Sequence, residues 1–389
     1  MPGVRLHQPG AGAVPCHTAR LSRPQPSRHY RLDKFSEHQP LNRQSRRFRS
    51  EGIDLSTQTL ADQVGYVSAA VKPLFDLIET HVFAAERLHG DDTTIPILAK
   101  GQCITGRIWT YVCDDRPFGG QSPPAAVFYA SSDRRGEHPQ RHLAEFTGIL
   151  QADCYNGFNL SAGRRMLACA ERPLFDRTKK QIPVTPAFCF AHARRKFFEL
   201  ADVSRSARRG KGARPVSATA LEAVKRIDAL FAIERDINGT SAEERLAVRQ
   251  AKSKPLLIEL EAWLRQEQEG LSRSSPVIEP INYMLSRWAD FARYADDGRI
   301  CMTNNAAERA LRGVACGRKN WSFAGSDRGA DRAAIMLTLI TTARLNDIDP
   351  KAWLADVLAR IAELPVSRLH ELLPWKWKAI KAMEIPAAA

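Results

Sequence analysis

The chain has 389 residues, of which 44% are hydrophobic and 26% charged, so it is long enough for one large core or for several domains of a globular protein. Lysine and arginine number 57 against 43 acidic residues, and the formal charge of +14 favours a polyanionic partner such as nucleic acid, with an anionic membrane surface as the competing partner. No apolar run approaches the roughly 18 residues that span a bilayer, and no apolar segment follows the N-terminal arginines, so we expect neither membrane insertion nor secretion.

The eight cysteines are scattered through the chain without a Cys-x-x-Cys pair, which argues against zinc ribbons, zinc fingers and disulfide scaffolds. We therefore expect free thiols in a reducing cytoplasm. Residues 1–30 contain five prolines and four arginines but no acidic residue and no helical or alternating period. We predict that residues 1–34 form a disordered basic leader, which is either a solvated tail or a non-specific contact for DNA phosphate.

Apolar residues at helical spacing predict a helical segment over residues 35–86, in which Pro73 either kinks a helix or begins the next one. Strand patterns follow, and the first of them carries Asp91 and Asp92 in its middle. The predicted strands cover residues 88–98, 108–112, 125–130, 148–155 and about 184–190, with a short helix over 139–146. With a further helix before the fifth strand, this order is typical of a ribonuclease-H-like α/β domain, a mixed sheet with flanking helices, and residues 87–201 form its first part.

The second half of the chain is predicted to be mostly helical. Amphipathic helices over residues 202–298 interrupt the α/β pattern, and we interpret them as an all-helical insertion into the domain. Residues 299–345 form the final part of the core and include the helix with Glu308, and residues 346–389 form C-terminal helices and a tail. The helices predicted in this half are residues 221–237, 241–268, 276–294, 326–344, 350–364 and 372–385.

Several basic residues are predicted to contact DNA phosphate, with a plain solvated face as the alternative. They are Arg194, Arg195, Lys196, Arg309, Arg312, Arg318 and Lys319. Trp321 and Phe323, which follow the last two, are suited either to base stacking or to the core. Cys189 and His192 have the spacing of half a zinc site, but no second half is visible, so no zinc site is predicted there.

Three carboxylates are distinguished by their placement. Asp91 and Asp153 lie inside predicted apolar strands, where a charge is costly unless it has a task, and Glu308 lies at a predicted helix start among arginines. Two Mg²⁺ ions roughly 4 Å apart, held by carboxylates, suit phosphodiester cleavage and strand transfer. Two alternatives stay open: Asn305 and Glu308 also have the spacing of a capping box, and other acids could complete the site. Those acids are Asp114, Asp115, Asp296, Asp297 and Asp331.

Six segments resemble, in the right order, the successive signatures of transposases of the insertion-sequence-66 family, which are DDE-type enzymes with a ribonuclease-H-like core. The segments are LHGDDTTIPIL, GRIWTYVCDDRPFGG, ILQADCYNGFN, FCFAHARRKFFEL, TNNAAERALR and GRKNWSFAGSDRGADRAA. The resemblance covers about residues 35–375 and implies that Asp91, Asp153 and Glu308 are catalytic and hold two Mg²⁺ or Mn²⁺ ions. Family members often have glutamate where this chain has Asp92, so Asp92 is a second candidate at the first position.

The resemblance implies donor-strand hydrolysis at the ends of a mobile element, followed by attack of the freed 3′-hydroxyl on target DNA. Double-stranded DNA is then the expected partner, with a homo-oligomer assembled on it and accessory proteins of the same element as further partners, in the bacterial cytoplasm. The alternatives are a nuclease of the same fold that does not join strands, and a truncated or degenerate transposase that only binds DNA. Family members carry coiled-coil, helix-turn-helix-like and cysteine-rich segments where this chain has its leader, which favours a truncated copy or a leader translated out of the ancestral frame.

Overall fold

The computed structural model describes residues 30–153, 184–201, 216–321 and 323–384. Within these residues, five strands form one mixed sheet in the order β3-β2-β1-β4-β5. The strands are β1 (Arg87–Ala99), β2 (Gln102–Cys113), β3 (Ala125–Ser131), β4 (Gly148–Ala152) and β5 (Val184–Phe188). The first three strands are antiparallel neighbours, whereas β4 and β5 run parallel to β1. The sheet therefore has the order and directions of the predicted ribonuclease-H-like domain.

Helices precede, flank and follow the sheet. The first six are α1 (Tyr30–Ser36), α2 (Leu41–Ser50), α3 (Thr57–Ala70), α4 (Lys72–Phe83), α5 (Glu137–His142) and α6 (Phe190–Ala201). The later ones are α7 (Ala218–Asp236), α8 (Ala242–Val248), α9 (Lys254–Gly270), α10 (Ile278–Leu285), α11 (Trp288–Ala292), α12 (Asn305–Asn320), α13 (Asp327–Leu345), α14 (Pro350–Arg360) and α15 (Pro374–Glu384). No helix in the described part of the chain has the length and apolar character needed to cross a membrane.

One face of the sheet packs against helices from both ends of the described chain. Trp109 and Tyr111 of β2 share a buried cluster with Ile78 of α4 and Trp353 of α14. Pro73 lies in the first turn of α4, where its missing N–H would have no partner within the helix in any case. Of the two predicted alternatives for Pro73, it therefore begins a helix.

The other face is covered by α12 and α13, which share a buried cluster with β1, β2 and β3. Helix α13 also lies along β3, the edge strand of the sheet. There the backbone N–H of Phe128 donates to Thr338 Oγ1 at 2.9 Å, and that of Ala126 donates to Thr342 Oγ1 at 3.1 Å. These threonines satisfy backbone groups that an edge strand would otherwise present to solvent.

Helices α7 to α11 form the all-helical insertion, and all of them except α8 share a buried core with α6 and the end of β5. Arg249 is fully buried in this core, where its Nη2 donates to Glu234 Oε2 at 2.6 Å and its Nη1 to the carbonyl of Tyr294 at 2.8 Å. A buried guanidinium group is tolerated only when its donors are matched in this way. The insertion is therefore a packed unit built on the end of the sheet.

The helix predicted over 241–268 is present as a continuous helical run from Ala242 to Gly270, in which a π-helical turn, Arg249–Ser253, lies between α8 and α9. Pro255 in the first turn of α9 is the physical reason for this turn, because a proline ring clashes with the carbonyl four residues earlier and a wider turn relieves that clash. The helix predicted over 276–294 is divided into α10, α11 and a 3₁₀ turn.

Some predictions fall on residues outside the described ranges. The predicted leader 1–34 lies outside them except for residues 30–34, which belong to α1. The helix predicted between the fourth and fifth strands also lies outside the described residues. The fourth strand, predicted over 148–155, ends at Ala152 in the structure, and residues 154 and 155 are not described.

Candidate active site

The three acidic residues predicted at the site come from neighbouring elements. Asp91 lies in the middle of β1, and Asp153 directly follows β4. β1 and β4 are parallel neighbours, and Leu88 of β1 is paired with Leu150 of β4. Asp91 lies as many residues after Leu88 as Asp153 lies after Leu150, so the two aspartates occupy equivalent positions along the two neighbouring segments of the chain. Glu308 lies in the first turn of α12, which packs against the same face of β1 that carries Asp91.

The electrostatics of Asp91 report the proximity of the other two acids. Its pKa is raised to about 7, first by burial and then by the negative charge of Asp153, with smaller contributions from Asp92 and Glu308. The backbone N–H of Asp92 donates to Asp91 Oδ1 at 2.8 Å and partly opposes this rise. Like charges gathered in a partly buried position are typical of a site that binds a cation.

Asp92 has a different environment from Asp91, because successive side chains on a strand point to opposite faces. The side chain of Asp92 is 1% exposed, and its carboxylate pairs with Arg107 at 3.1 Å and with Arg134 at 2.8 Å. Two arginines therefore neutralise Asp92, whereas Asp91 has acidic neighbours.

Most of the other acids left open by the sequence are engaged in ion pairs. The pairs are Asp114 with Arg116 at 2.8 Å, Asp115 with Arg87 at 3.2 Å, Asp296 with Lys254 at 2.7 Å and Asp297 with Arg299 at 2.7 Å. Asp331 is an exception, since burial and the neighbouring charge of Asp327 raise its pKa. Asp331 lies on α13 and lines a cavity of about 850 Å³ at the β3 edge of the sheet, which none of Asp91, Asp153 and Glu308 lines.

Glu308 does not form the capping box that its spacing from Asn305 allows. The N-cap of α12 is Asn304, and Glu308 N–H donates to the Asn304 carbonyl at 3.2 Å, as in an ordinary helical turn. The capping-box alternative is therefore wrong. Glu308 Oε1 is buried and has no hydrogen-bond partner among the described residues, and His192 Nδ1 lies 3.6 Å from it.

The start of α12 is attached to β1 through Asn304, which is fully buried. Its Nδ2 donates to the Gly90 carbonyl at 2.8 Å, and its Oδ1 lies 3.1 Å from His89 Nδ1. Since Oδ1 is an acceptor, Nδ1 of His89 carries the proton, and Nε2 accepts from the buried Arg87 guanidinium. Burial and the Arg87 charge lower the pKa of His89 to about 3, so this imidazole is neutral near pH 7.

Sequence analysis missed Asn304 and His89 as contributors to the site. The run Thr303-Asn304-Asn305 offers two amides as caps, and the sequence contains no signal for the one that reaches β1.

Cys189 and His192 lie at the start of α6 and meet Glu308 there. The backbone N–H of Asn304 donates to Cys189 Sγ at 3.2 Å, and hydrogen bonds from the backbone N–H groups of His192 and Ala191 to the sulfur also lower the pKa of the thiol. Burial raises the pKa of the Cys189 thiol to about 11. One ligand atom from each of Cys189, His192 and Glu308 lies within 4.8 Å of the others, so the third partner of the Cys-x-x-His pair comes from α12.

A second group of possible ligands, Asp133, Glu137 and His138, lies at the start of α5. Asp133 Oδ1 is 2.7 Å from His138 Nε2, and Arg135 lies 3.3 Å from the other oxygen of Asp133. Because an arginine already occupies this carboxylate, the group is less suited to a cation than the acids around Asp91.

The predicted DNA-binding residues divide into two groups. Four are exposed, namely Arg195, Arg309, Arg312 and Lys319. The other three have protein partners: Arg194 pairs with Asp228 at 2.6 Å, Lys196 with Glu279 at 3.1 Å, and Arg318 donates to Thr93 Oγ1 at 3.0 Å and Thr94 Oγ1 at 2.6 Å. Trp321 is 6% exposed and belongs to the core, whereas Phe323 is 45% exposed.

Comparison with known proteins gives matches over most of the chain. The model of the Transposase IS66 family matches residues 29–332, and the model of the IS66 C-terminal element matches residues 338–375. The uncharacterized protein y4hP of Sinorhizobium fredii (strain NBRC 101917 / NGR234) is 68% identical over 359 residues, which are 92% of this chain and 63% of y4hP. The uncharacterized protein y4jD of the same strain is 35% identical over 355 residues, which are 90% of this chain and 65% of y4jD.

A third relative, the uncharacterized protein y4qI of that strain, is 34% identical over 351 residues, which are 89% of this chain and 61% of y4qI. The chain thus spans less than two thirds of the length of each of these relatives. The resemblance first seen in six short segments is confirmed over nearly the whole chain. The chain belongs to the IS66 family of transposases.

Proposed function

We propose that this protein is a metal-dependent DNA transposase that hydrolyses a phosphodiester bond at each element end and transfers the freed 3′-hydroxyl into target DNA. The observation that carries the proposal is the position of Asp91 on β1, next to the parallel strand β4 that Asp153 follows and to the first turn of α12 that contains Glu308. The pKa of Asp91, raised first by burial and then by the charge of Asp153, supports it. Family membership supports DNA as the substrate. The formal charge of +14 supports it as well.

Asp91, Asp153 and Glu308 would hold two Mg²⁺ or Mn²⁺ ions. The donor set fits these hard cations, which prefer carboxylate oxygens, and a cation would offset the burial and the repulsion that raise the pKa of Asp91. The unsatisfied, buried Oε1 of Glu308 also fits a ligand that awaits a cation. When bound, such ions supply charge neutralisation at the reacting phosphate and activation of the attacking oxygen. The pairing of Asp92 with two arginines supports Asp91 as the ligand at the first position.

The exposed basic residues would bind the DNA backbone beside these acids. Arg309 and Arg312 lie on α12 directly after Glu308, and Lys319 lies near its C-terminal end. Arg318 fixes α12 to β1 through Thr93 and Thr94, so we assign it to positioning. Synapsis of two element ends calls for a homo-oligomer on DNA, and accessory proteins of the same element, acting in the bacterial cytoplasm, complete the proposed set of partners.

The test is a strand-transfer assay with Mg²⁺, labelled element-end duplexes and a target plasmid. Asp91→Asn, Asp153→Asn and Glu308→Gln are each expected to lower joining by at least about 1000-fold, because each removes a carboxylate that would hold the ions that neutralise charge in the transition state. Glu279→Gln is the matched control, because Glu279 is an exposed carboxylate on α10 of the insertion that pairs with Lys196 of α6. This variant should join strands normally.

Joined products that survive Asp153→Asn would refute the proposal. Nicked products without joined ones would favour the nuclease alternative. Salt-dependent binding without Mg²⁺-dependent cleavage would favour a degenerate transposase that only binds DNA.

A further inference from the structure

Cys189, His192 and Glu308 form a cluster with a composition unlike that of the three acids. One ligand atom from each lies within 4.8 Å of the other two. Thiolate and imidazole ligands bind Zn²⁺ at about 2.0–2.3 Å, so two ligands of one ion are at most about 4.6 Å apart. Small side-chain rotations would therefore bring these atoms to coordination distance.

Two polar atoms in this cluster are buried without a hydrogen bond. Among the described residues, neither Glu308 Oε1 nor His192 Nδ1 has a hydrogen-bond partner, and the two atoms lie 3.6 Å apart. Buried polar atoms are usually satisfied, because an unmatched one costs about 1–3 kcal/mol. The residues of both atoms cluster with Cys189, which is an arrangement that a shared cation would satisfy.

Backbone N–H groups around Cys189 partly offset the burial and the Glu308 charge that raise the pKa of its thiol. The N–H of Asn304 donates to Sγ at 3.2 Å, and the N–H groups of Ala191 and His192 in the first turn of α6 act on it as well. These donors come from the starts of two helices, where N–H groups lack partners within the helix and where anionic groups are favoured. A thiolate bound to a cation would be stabilised by the same donors.

We propose that Cys189, His192 and Glu308 bind one Zn²⁺-like cation, a borderline-soft divalent ion, at a site that shares only Glu308 with the pair held by the three acids. The Cys189 thiol loses its proton to solvent as the sulfur–metal bond forms, while His192 donates the lone pair of Nδ1 and Glu308 that of a carboxylate oxygen. Three protein ligands leave one position of a tetrahedral site for solvent. Mg²⁺ is a poor competitor here, because thiolate and imidazole favour softer ions.

The shared residue gives this site a consequence that rests on the proposed function. Glu308 would serve both the Mg²⁺ pair and the softer cation, so a bound Zn²⁺ ion withdraws Glu308 from the reaction. Zn²⁺ is then an inhibitor of Mg²⁺-dependent strand transfer that competes for one carboxylate. For each protein, the strand-transfer rate with Zn²⁺ is divided by the rate without it. This ratio is expected to fall less in Cys189→Ser than in the wild type.

The direct test uses Co²⁺ as a spectroscopic probe on the full chain without DNA. Wild-type protein is expected to develop thiolate-to-cobalt charge-transfer absorption in the near ultraviolet, which excess Zn²⁺ abolishes and excess Mg²⁺ does not. Cys189→Ser should lack this band, although the serine hydroxyl can still accept the backbone N–H groups and preserve the helix start. His192→Asn should weaken Co²⁺ binding by at least about tenfold.

The control variant is Cys113→Ser, which removes a buried thiol on β2 and should keep the band. Thermal denaturation of each variant identifies any that fails to fold. If Cys189→Ser fails to fold, His192→Asn tests the site in its place. Absence of the band from folded wild-type protein, or its persistence in Cys189→Ser, would overturn the proposal. Because Asp153→Asn should abolish strand transfer and keep the band, failure of the proposed function and failure of this site are distinguishable.

Discussion

At the scale of single residues, the two adjacent acids of β1 have opposite environments. Asp92→Asn removes the carboxylate that pairs with both Arg107 and Arg134, so each guanidinium group loses this ion pair. Since both arginines are partly exposed, we expect the free energy of unfolding to fall by about 2 kcal/mol, measured by urea denaturation. Mn²⁺ binding, measured by calorimetry, should persist in Asp92→Asn and be lost in Asp91→Asn. The reverse pattern would make Asp92 the ligand.

The pKa of Asp91 predicts how pH changes the stability of the metal-free protein. Its folded-state value of about 7 lies above the ordinary 3.8, so between these values the folded protein holds a proton that the unfolded chain has released. Stability therefore falls as pH rises through this window and recovers as pH falls. One pKa unit corresponds to about 1.4 kcal/mol, and the pKa of Asp91 lies about 3 above its ordinary value, so Asp91→Asn should be more stable than wild type by about 4 kcal/mol at about pH 8.

The same comparison at about pH 4 supplies the control, because Asp91 is then protonated in the folded protein and the two proteins should be nearly equal in stability. Urea denaturation in the presence of a chelator measures both differences. An equal difference at the two pH values would mean that ionised Asp91 does not destabilise the fold.

At the scale of elements, the position of α12 depends on one amide. Asn304→Ala removes the bond to the Gly90 carbonyl and the acceptor for His89, which connect the start of this helix to β1. We expect the unfolding free energy to fall by about 1–2 kcal/mol. Glu308 would also be displaced relative to Asp91, so kcat for strand transfer should fall by about tenfold or more with little change in KM for DNA.

Asn305→Ala is the matched control for Asn304→Ala. Asn305 is exposed at the first position of α12, and its replacement should leave both quantities nearly unchanged. Asn304→Asp keeps an acceptor for His89 but loses the donor to Gly90, so its kcat should lie between those of Asn304→Ala and the wild type. Equal rates for Asn304→Ala and the wild type would remove Asn304 from any positioning role.

Hydrophobic periodicity predicted the helices and strands whose buried side chains recur at regular spacing. It did not predict backbone geometry that a local steric clash determines. The first strand was predicted over 88–98 and is Arg87–Ala99, because its apolar positions and its hairpin partner are local in sequence. The π-helical turn between α8 and α9 was not predicted, because Pro255 was given no weight against a continuous amphipathic pattern. Terminal positions were also less accurate, since caps depend on tertiary contacts such as that of Asn304 with β1.

The acidic residues were recognisable as candidates because charge within an apolar strand is unusual, whereas the side chains that surround them were not. Cys189 and His192 were visible as half of a metal site, but their third partner, Glu308, lies on a helix that follows the whole insertion. No spacing rule connects residues that the fold brings together over such a distance in sequence. The neutralisation of Asp92 by Arg107 and Arg134 likewise depends on strand register and on a loop after β3.

At the scale of the whole molecule, the buried Arg245 attaches the helical insertion to the sheet domain, and the buried Arg249 connects elements within the insertion. Arg245 donates to the carbonyl of Pro117 at 2.8 Å, and Arg245 and Arg249 both pair with Glu234 of α7, at 3.4 and 2.6 Å. Glu234→Gln leaves two buried guanidinium groups with no carboxylate between them. We expect the unfolding free energy, measured by urea denaturation, to fall by about 3 kcal/mol.

Glu222→Gln on the same helix is the control, because it removes only a partly exposed pair with Arg226 and should cost about 0.5 kcal/mol or less. Similar losses in both variants would show that burial does not determine the effect. A separate, early unfolding transition in Glu234→Gln would mean that the insertion unfolds independently once its attachment to the sheet is weakened.

The distribution of positive charge leads to the last prediction, which concerns binding of double-stranded DNA. The affinity of a protein for DNA falls with salt because each neutralised phosphate releases counterions, with a slope of about 0.9 per phosphate contact. Arg312 and Lys319 are exposed on α12, the helix that carries Glu308. Replacing either by alanine should lower the slope of log K against log salt by about 1.

Arg194→Ala separates this interpretation from a general effect of net charge. It removes the same charge as Arg312→Ala, but Arg194 is already paired with Asp228 at 2.6 Å, so its loss should change the slope by much less. Fluorescence anisotropy with an element-end duplex and with an unrelated duplex, over a range of salt concentrations, measures all of these slopes. Equal slope changes for Arg194→Ala and Arg312→Ala would mean that DNA responds to the total charge of the protein, and the proposed binding face along α12 would then be wrong.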